Sequence, residues 1–143
     1  MLGRQGNRRL VLAADAAARP AGLRVGIPAS KAQVLVPNLQ SFDLDTAADA
    51  KALDKVALWS LRYAPIVAAD PPDGLVIDTT GADHLHGGEE VMLARLVSRI
   101  AAAGIEARAA VADTWGAAHA CARFLARPTF VAPVGQAGAI LRD

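Results

Sequence analysis

Cysteine is almost absent from this sequence: Cys121, set among alanines, stands alone. That excludes an internal disulfide framework, fits a reducing cytoplasm, and makes Cys121 a small core residue. Aromatic residues are scarce too, at 4% of the chain, while 53% is hydrophobic and much of that is alanine. A closely packed, helix-rich core with few large anchors follows. Arg95, Arg99, Arg108, Asp113 and Arg123 interrupt every apolar stretch before it reaches the ~20 residues that span a bilayer. The start, MLGRQGNRRL, has basic residues but no apolar stretch of signal-peptide length, so neither a membrane span nor a secretory signal is expected. The net charge of +1 supplies no global field for nucleic acid, and any DNA contact must be local. Arg4, Arg8 and Arg9 form the only basic run, expected as a solvated terminus.

The 143 residues are the size of one domain. Pro20, Gly22, Gly26 and Pro28 break the first part into short pieces, with Pro28 opening a helix over ASKAQVLV that Pro37 closes. Thr46 is the expected cap of a longer helix in which Leu53, Ala57, Leu61 and Ala64 recur until Pro65 ends it. PIVAAD and GLVIDTT then read as a hairpin about Pro-Pro-Asp-Gly. Val91, Val97 and Ile100 mark a helix ending at Gly104, IEARAAVAD a strand, and TWGAAHACARFLARP a helix capped by Thr114. The order from Thr46 is therefore α-β-β-α-β-α. That is a ferredoxin-like α/β (α+β) unit without its first, central strand; either RLVLAAD fills the gap or the chain is truncated.

Four Asp, two His and two Glu crowd residues 70–90, DPPDGLVIDTTGADHLHGGEE. In an extended segment His84 and His86 would share a side, with Glu89 or Glu90 following. The same GGEE also suits a helix start, where acids complement the dipole. A two-magnesium phosphoryl-transfer site needs several convergent carboxylates. On the second hairpin strand Asp73 and Asp78 point to opposite faces. Asp73, at the tip, reads equally as a site remnant or a turn former, and Asp78 as an acceptor for the following turn. No Walker A, G-x-G-x-x-G or G-x-S-x-G string occurs. His119 and Cys121, two apart on one helix, face different ways. Trp59 and Tyr63, four apart, read as a packed pair, and Trp115 as an anchor at a helix start.

The stretch LRYAPIVAADPPDGLVIDTTGADHLHGGE, with ARAAVADTWGAAHACAR further on, resembles the Y-family translesion DNA polymerases and looks closest to their ImuB-type branch. The D-x-T-G-x-x-H-L-x-G-G-E run from Asp78 to Glu89 is its most specific string. Active members carry Ser-Ile-Asp-Glu and then a Leu-Asp-Val-Thr-like end. The matching residues here are Pro71, Pro72, Asp73 and Gly74, then Ile77, Asp78, Thr79 and Thr80, so the glutamate is missing. AAARPAGLRVGIPASKAQVLVPNL is similar to the fingers subdomain, whose triphosphate-contacting Tyr-Glu-Ala-Arg is matched by Ala16, Ala17, Ala18 and Arg19. His119 best matches a triphosphate-binding lysine. Arg19 reads equally as a loop-anchoring residue.

The resemblance implies a small helical fingers-like subdomain over residues 1–44 and a palm-like subdomain over 45–143. Nothing before Arg9 matches the family's opening strand with its metal-binding aspartate and steric-gate aromatic, and the thumb and little finger would begin beyond Asp143. It further implies a polymerase-like, degenerate component of bacterial damage-induced mutagenesis, with Asp73 a vestigial catalytic and metal residue. Mg²⁺ would be the cofactor only if activity remains. The implied partners are primer-template DNA, a sliding clamp, an error-prone replicative-type polymerase and a RecA-like accessory protein, at the nucleoid. An unpaired sheet edge would favour self-association. The alternatives are an active nucleotidyltransferase in which Asp70 or another acid replaces Gly74, and an unrelated α/β metalloenzyme using His84 and His86.

Overall fold

A computed structural model of the chain describes residues 1–15 and 17–140. Ala16, the first residue of the tetrapeptide matched above, lies outside them. The chain divides into two compact units, Met1–Asp49 and Ala50–Asp143.

The first unit is built on an antiparallel hairpin of β1 (Leu2–Gln5) and β2 (Arg8–Val11), turning at Gly6 with φ +60°. At its root both outer edges are covered. Leu2 donates to the Phe42 carbonyl and accepts from Leu44 N–H, while Val11 does the same with Ile27 and Gly26. Leu2, Val11, Leu23 and Ala32 of α1 (Ala29–Leu35) form the core, with Ile27, Val36 and Leu39 against it. Two expectations change here. Arg4, Arg8 and Arg9 are solvent-exposed as expected but belong to a paired ladder, because Leu2 and Val11 anchor the hairpin root in that core. RLVLAAD does not fill the place of a central palm strand, since its residues Arg9–Val11 pair with β1 inside this unit.

Helix α2 (Thr46–Ser60) spans the division between the units. Its cap is Asp45, whose Oδ1 accepts from Ala48 N–H at 2.9 Å, one residue ahead of the expected Thr46. A carboxylate at that position also complements the helix dipole. The helix ends at Ser60 rather than Ala64: Tyr63 N–H bonds back to the Ser60 carbonyl at 2.9 Å, and the turn delivers the Tyr63 ring to the core.

In the second unit β3 (Ile66–Asp70) and β4 (Gly74–Asp78) form the expected hairpin, in register from Ile66↔Asp78 to Asp70↔Gly74. A 3₁₀ turn (Asp83–His86) leads to α3 (Glu89–Ala102). Its C-terminus is a complete Schellman motif, with Gly104 at φ +81° donating to Ala101 at 2.9 Å and Ile105 to Ile100 at 3.2 Å. β5 is only Ala109–Val111, shorter than the sequence suggests, and α4 (Trp115–Phe124) follows with Thr114 Oγ1 accepting from Ala117 N–H. A strand the sequence did not announce, β6 (Thr129–Val131), returns parallel to β5, and α5 (Ala137–Ile140) comes after it.

The expected α-β-β-α-β-α order is therefore present, with β6 and α5 added. Tyr63, Met92 and Leu96 form the core, against which Trp59, Ile77 of β4 and Ala109 of β5 pack. Both strand pairs thus rest on the same α3-centred cluster. Among the described residues, however, β4 pairs only with β3 and β5 only with β6. The architecture is mixed α/β, with small two-stranded sheets and helices. No described helix is long and apolar enough to cross a membrane.

Candidate functional site: the acidic hairpin tip and its arginine clasp

The tip of the β3–β4 hairpin is closed by Asp70, Pro71, Pro72, Asp73 and Gly74. Asp70 and Gly74 are the last register pair. They approach so closely that a Cβ on residue 74 would lie 2.9 Å from the Asp70 carbonyl oxygen and 3.2 Å from its Oδ2. Any side chain at 74 would therefore force the Asp70 backbone to shift, and the Asp70 carboxylate lies directly beside the position where it would start.

Asp73 does not face open solvent unaccompanied. Arg123, near the end of α4, donates from Nη2 to Asp73 Oδ1 at 2.5 Å and from Nη1 to Oδ2 at 3.5 Å, so one guanidinium meets both carboxylate oxygens. Its Nε–H donates to His119 Nε2 at 2.9 Å. The same nitrogen lies 3.8 Å from Asp70 Oδ2. Asp73, by hydrogen bond and then by charge, and Asp70 more weakly, hold the Arg123 guanidinium still more firmly in its charged form. Side chains in this clasp are partly open, Arg123 at 39% and Asp73 at 63%. Its contribution to stability is accordingly small. Its effect is to place a fixed positive charge between α4 and the acids.

The sequence expectations distribute as follows. Asp73 and His119 are brought together, through Arg123. Arg19 is exposed in the first unit, beside an open groove of about 580 Å³ that it lines with Arg24, Leu12, Leu23 and Val25. Arg123 was not singled out in advance. The signal was its position four residues after His119, itself four after Trp115, which puts all three on one face of α4. Trp115, 57% exposed, stacks on His119 with ring centroids 5.4 Å apart, so it contacts the site rather than anchoring a core.

The two histidines after the hairpin do not form a pair. Residues 83–86 make a 3₁₀ turn rather than an extended segment, so His84 and His86 diverge. His86 Nε2 donates to the Tyr63 carbonyl at 3.0 Å and its ring packs on Tyr63 at 5.4 Å. Trp59 completes the stack 5.7 Å from Tyr63, as a packed pair.

Asp78 has the turn role expected of it. The Thr80 hydroxyl first, and then Thr80 N–H at 3.0 Å, hold its carboxyl below the ordinary value of 3.8. A depressed folded-state value stabilises the fold above about pH 4 and loses that contribution as pH falls through it. Acid titration of Asp78→Asn should therefore show a shallower loss of stability below about pH 4 than the parent chain; superimposable acid limbs would remove this role.

The donor set does not fit a two-magnesium centre. Among the described residues no group of three or more His, Cys, Asp or Glu side chains converges to hold a metal ion. Both oxygens of Asp73 are already taken by Arg123, and residue 74 has no carboxylate to add.

A family model described as the impB/mucB/samB family, IMS, matches residues 1–123. The chain belongs to the impB/mucB/samB family. This is the Y-family to which the hairpin and the Asp78–Glu89 string pointed, and membership displaces the alternative of an unrelated metalloenzyme. Relatives named Protein ImuB, from two strains of Caulobacter vibrioides, are each 51% identical over 115 residues, which is 80% of this chain. The chain spans 25% of the length of these curated relatives. No solved structure matches it.

Proposed function

We propose that this chain is the fingers-like (1–44) and palm-like (45–143) part of a polymerase-like, non-catalytic component of bacterial damage-induced translesion synthesis. The observation that carries this is the clasp: Arg123 neutralises Asp73 at the position where the family's catalytic hairpin holds metal, and Gly74 replaces the neighbouring glutamate. Phosphoryl transfer depends on cations that stabilise charge developing on the transferred group. A guanidinium bound to the remaining acid opposes their entry.

In this reading the hairpin is a scaffold, and the parent protein works in assembly. Its partners are primer-template DNA, a sliding clamp, an error-prone replicative-type polymerase and a RecA-like accessory protein, in the cytoplasm at the nucleoid. Arg19 and His119 are the residues proposed to retain some contact with triphosphate. The unpaired edges of β4 and β5 are where the chain would take a strand from a second copy, which sedimentation at rising concentration tests.

One observation favours a second reading. The Asp70 carboxylate lies 3.2 Å from where a side chain at residue 74 would begin, which puts an acid beside the position of the missing glutamate. Primer extension by the full-length parent, with and without Asp73→Ala, over a range of Mg²⁺ and Mn²⁺, separates the two. The proposal expects no extension from either protein while primer-template binding persists. Extension that disappears with Asp73 would overturn it in favour of a rearranged active site.

A further inference from the structure

Between α2 and α3, within the second unit, runs an apolar groove that shares no residue with the hairpin tip or its clasp. Its floor is Val56 and Trp59 of α2, Ile100 and Ala103 at the end of α3, and Ile105 just beyond. Trp59 is a fixed wall. Tyr63 packs against the indole with ring centroids 5.7 Å apart, the Arg62 guanidinium lies 4.5 Å over it, and Arg62 Nε–H donates to the Trp59 carbonyl at 2.8 Å.

One cation from each helix stands on the rim, Lys55 from α2 and Arg99 from α3. Both are exposed, and neither makes an ion pair or a side-chain hydrogen bond among the described residues, with Asp54 and Glu106 no exception. Their helical neighbours offer no relief. Three and four positions away Lys55 meets Lys51, Ala52, Leu58 and Trp59, and Arg99 meets Arg95, Leu96, Ala102 and Ala103. Each rim cation thus has a like charge one turn before it, an arrangement that weakens a helix.

Shape and charge select the occupant. At about 180 Å³ the groove is smaller than the ~300 Å³ at which drug-sized ligand sites begin, and it has the room of a single large side chain. A phosphate backbone would use the rim cations and leave the apolar floor uncovered. A second copy docked here by two-fold symmetry would set these cations against their own counterparts. An apolar anchor flanked by carboxylates satisfies floor and rim together.

We infer that this groove is a docking site for an acidic amphipathic helix of a partner protein, which seats one large apolar side chain against Trp59 and Ile105 and sets carboxylates beside Lys55 and Arg99. The anchor supplies the affinity, and the rim charges speed and orient the encounter. The site is independent of whether the hairpin tip retains any chemistry.

The test reads fluorescence polarisation of labelled synthetic peptides on the whole chain: a Glu/Leu helix with its leucines on one face, the same composition with leucines scattered around the helix, and a Lys/Leu counterpart of the first. The one-faced acidic peptide should bind with a Kd on the order of 100 μM, more weakly as salt rises. The other two should not saturate. Lys55→Glu with Arg99→Glu should weaken that binding about tenfold and make the Lys/Leu peptide the better ligand, a reversal that an unfolded variant would not give. Ala103→Arg, which blocks the floor from an exposed position, should abolish binding with the urea midpoint near the parent's. Arg24→Glu with Lys31→Glu, the same charge change on exposed residues of the first unit, should leave binding unaltered.

Failure of the acidic peptide to saturate by about 1 mM, equal binding of the scattered peptide, or an equal loss in the first-unit control overturns the inference. So does a mixed-sequence DNA oligonucleotide that displaces the peptide and is itself indifferent to Ala103→Arg, which would assign the rim to a polyanion. Self-association of the chain that disappears with Ala103→Arg in sedimentation overturns it in favour of a second copy.

Discussion

Gly74→Glu, the change that rebuilds the carboxylate pair in the sequence, is expected to lower stability by about 1–3 kcal/mol and to create no divalent-cation site. The stability loss comes from the first atom of the new side chain. Its Cβ would stand 2.9 Å from the Asp70 carbonyl oxygen, a backbone atom that moves only if the end of the hairpin moves with it. The lower unfolded-state entropy of a non-glycine residue offsets only about 0.4–1 kcal/mol of that. Gly74→Ala carries the same Cβ and should lose a similar amount, which separates the steric cost from the charge.

The absence of metal binding follows from what surrounds the site. Asp73 stays paired with Arg123, and the three atoms nearest a Cβ at residue 74, its chain neighbours aside, all belong to Asp70. Calorimetric titration with Mn²⁺ and thermal melts of the two variants check both halves. A melting temperature at or above the parent's, or stoichiometric Mn²⁺ uptake by Gly74→Glu, would mean that the tip is more adaptable than its register implies. The scaffold reading would then lose its main structural support.

Met92→Ala is expected to cost about 2–5 kcal/mol, a large share of the stability of a domain this size. Met92 is 2% exposed and sits with Tyr63 and Leu96 at the centre of the cluster on which both strand pairs rest. A core with so few large side chains has little with which to refill the cavity. Val91, the preceding residue on α3, is 41% exposed, and Val91→Ala should stay within about 0.5 kcal/mol. Urea unfolding of both variants gives the comparison. Similar midpoints would place α3 in a different rotation and dissolve the common support of β4 and β5.

The family and the order of elements were legible in the sequence because they rest on local signals. Pro28 and Gly104 bound helices through backbone geometry alone, Thr114 supplies its own cap, and the Pro-Pro-Asp-Gly run enforces a turn. The Asp78–Glu89 string carried the family resemblance as it stands. Asp78 could be assigned its turn role from the hydroxyl residue two positions on. These features act within a few residues, so no tertiary information was needed.

What only the tertiary structure decided are the relations between distant segments. β6 is three residues long and too short to show a period; it becomes a strand because β5 offers it a parallel edge. Residues 8–11 look the same in sequence whether they pair with a palm sheet or with residues 2–5, and the buried root of the hairpin settles which. Arg123 and Asp73 are 50 residues apart, and their clasp exists only because α4 returns alongside the hairpin tip. The acids named a site, but whether those acids remain free to hold a cation depends on which charge the fold sets beside them.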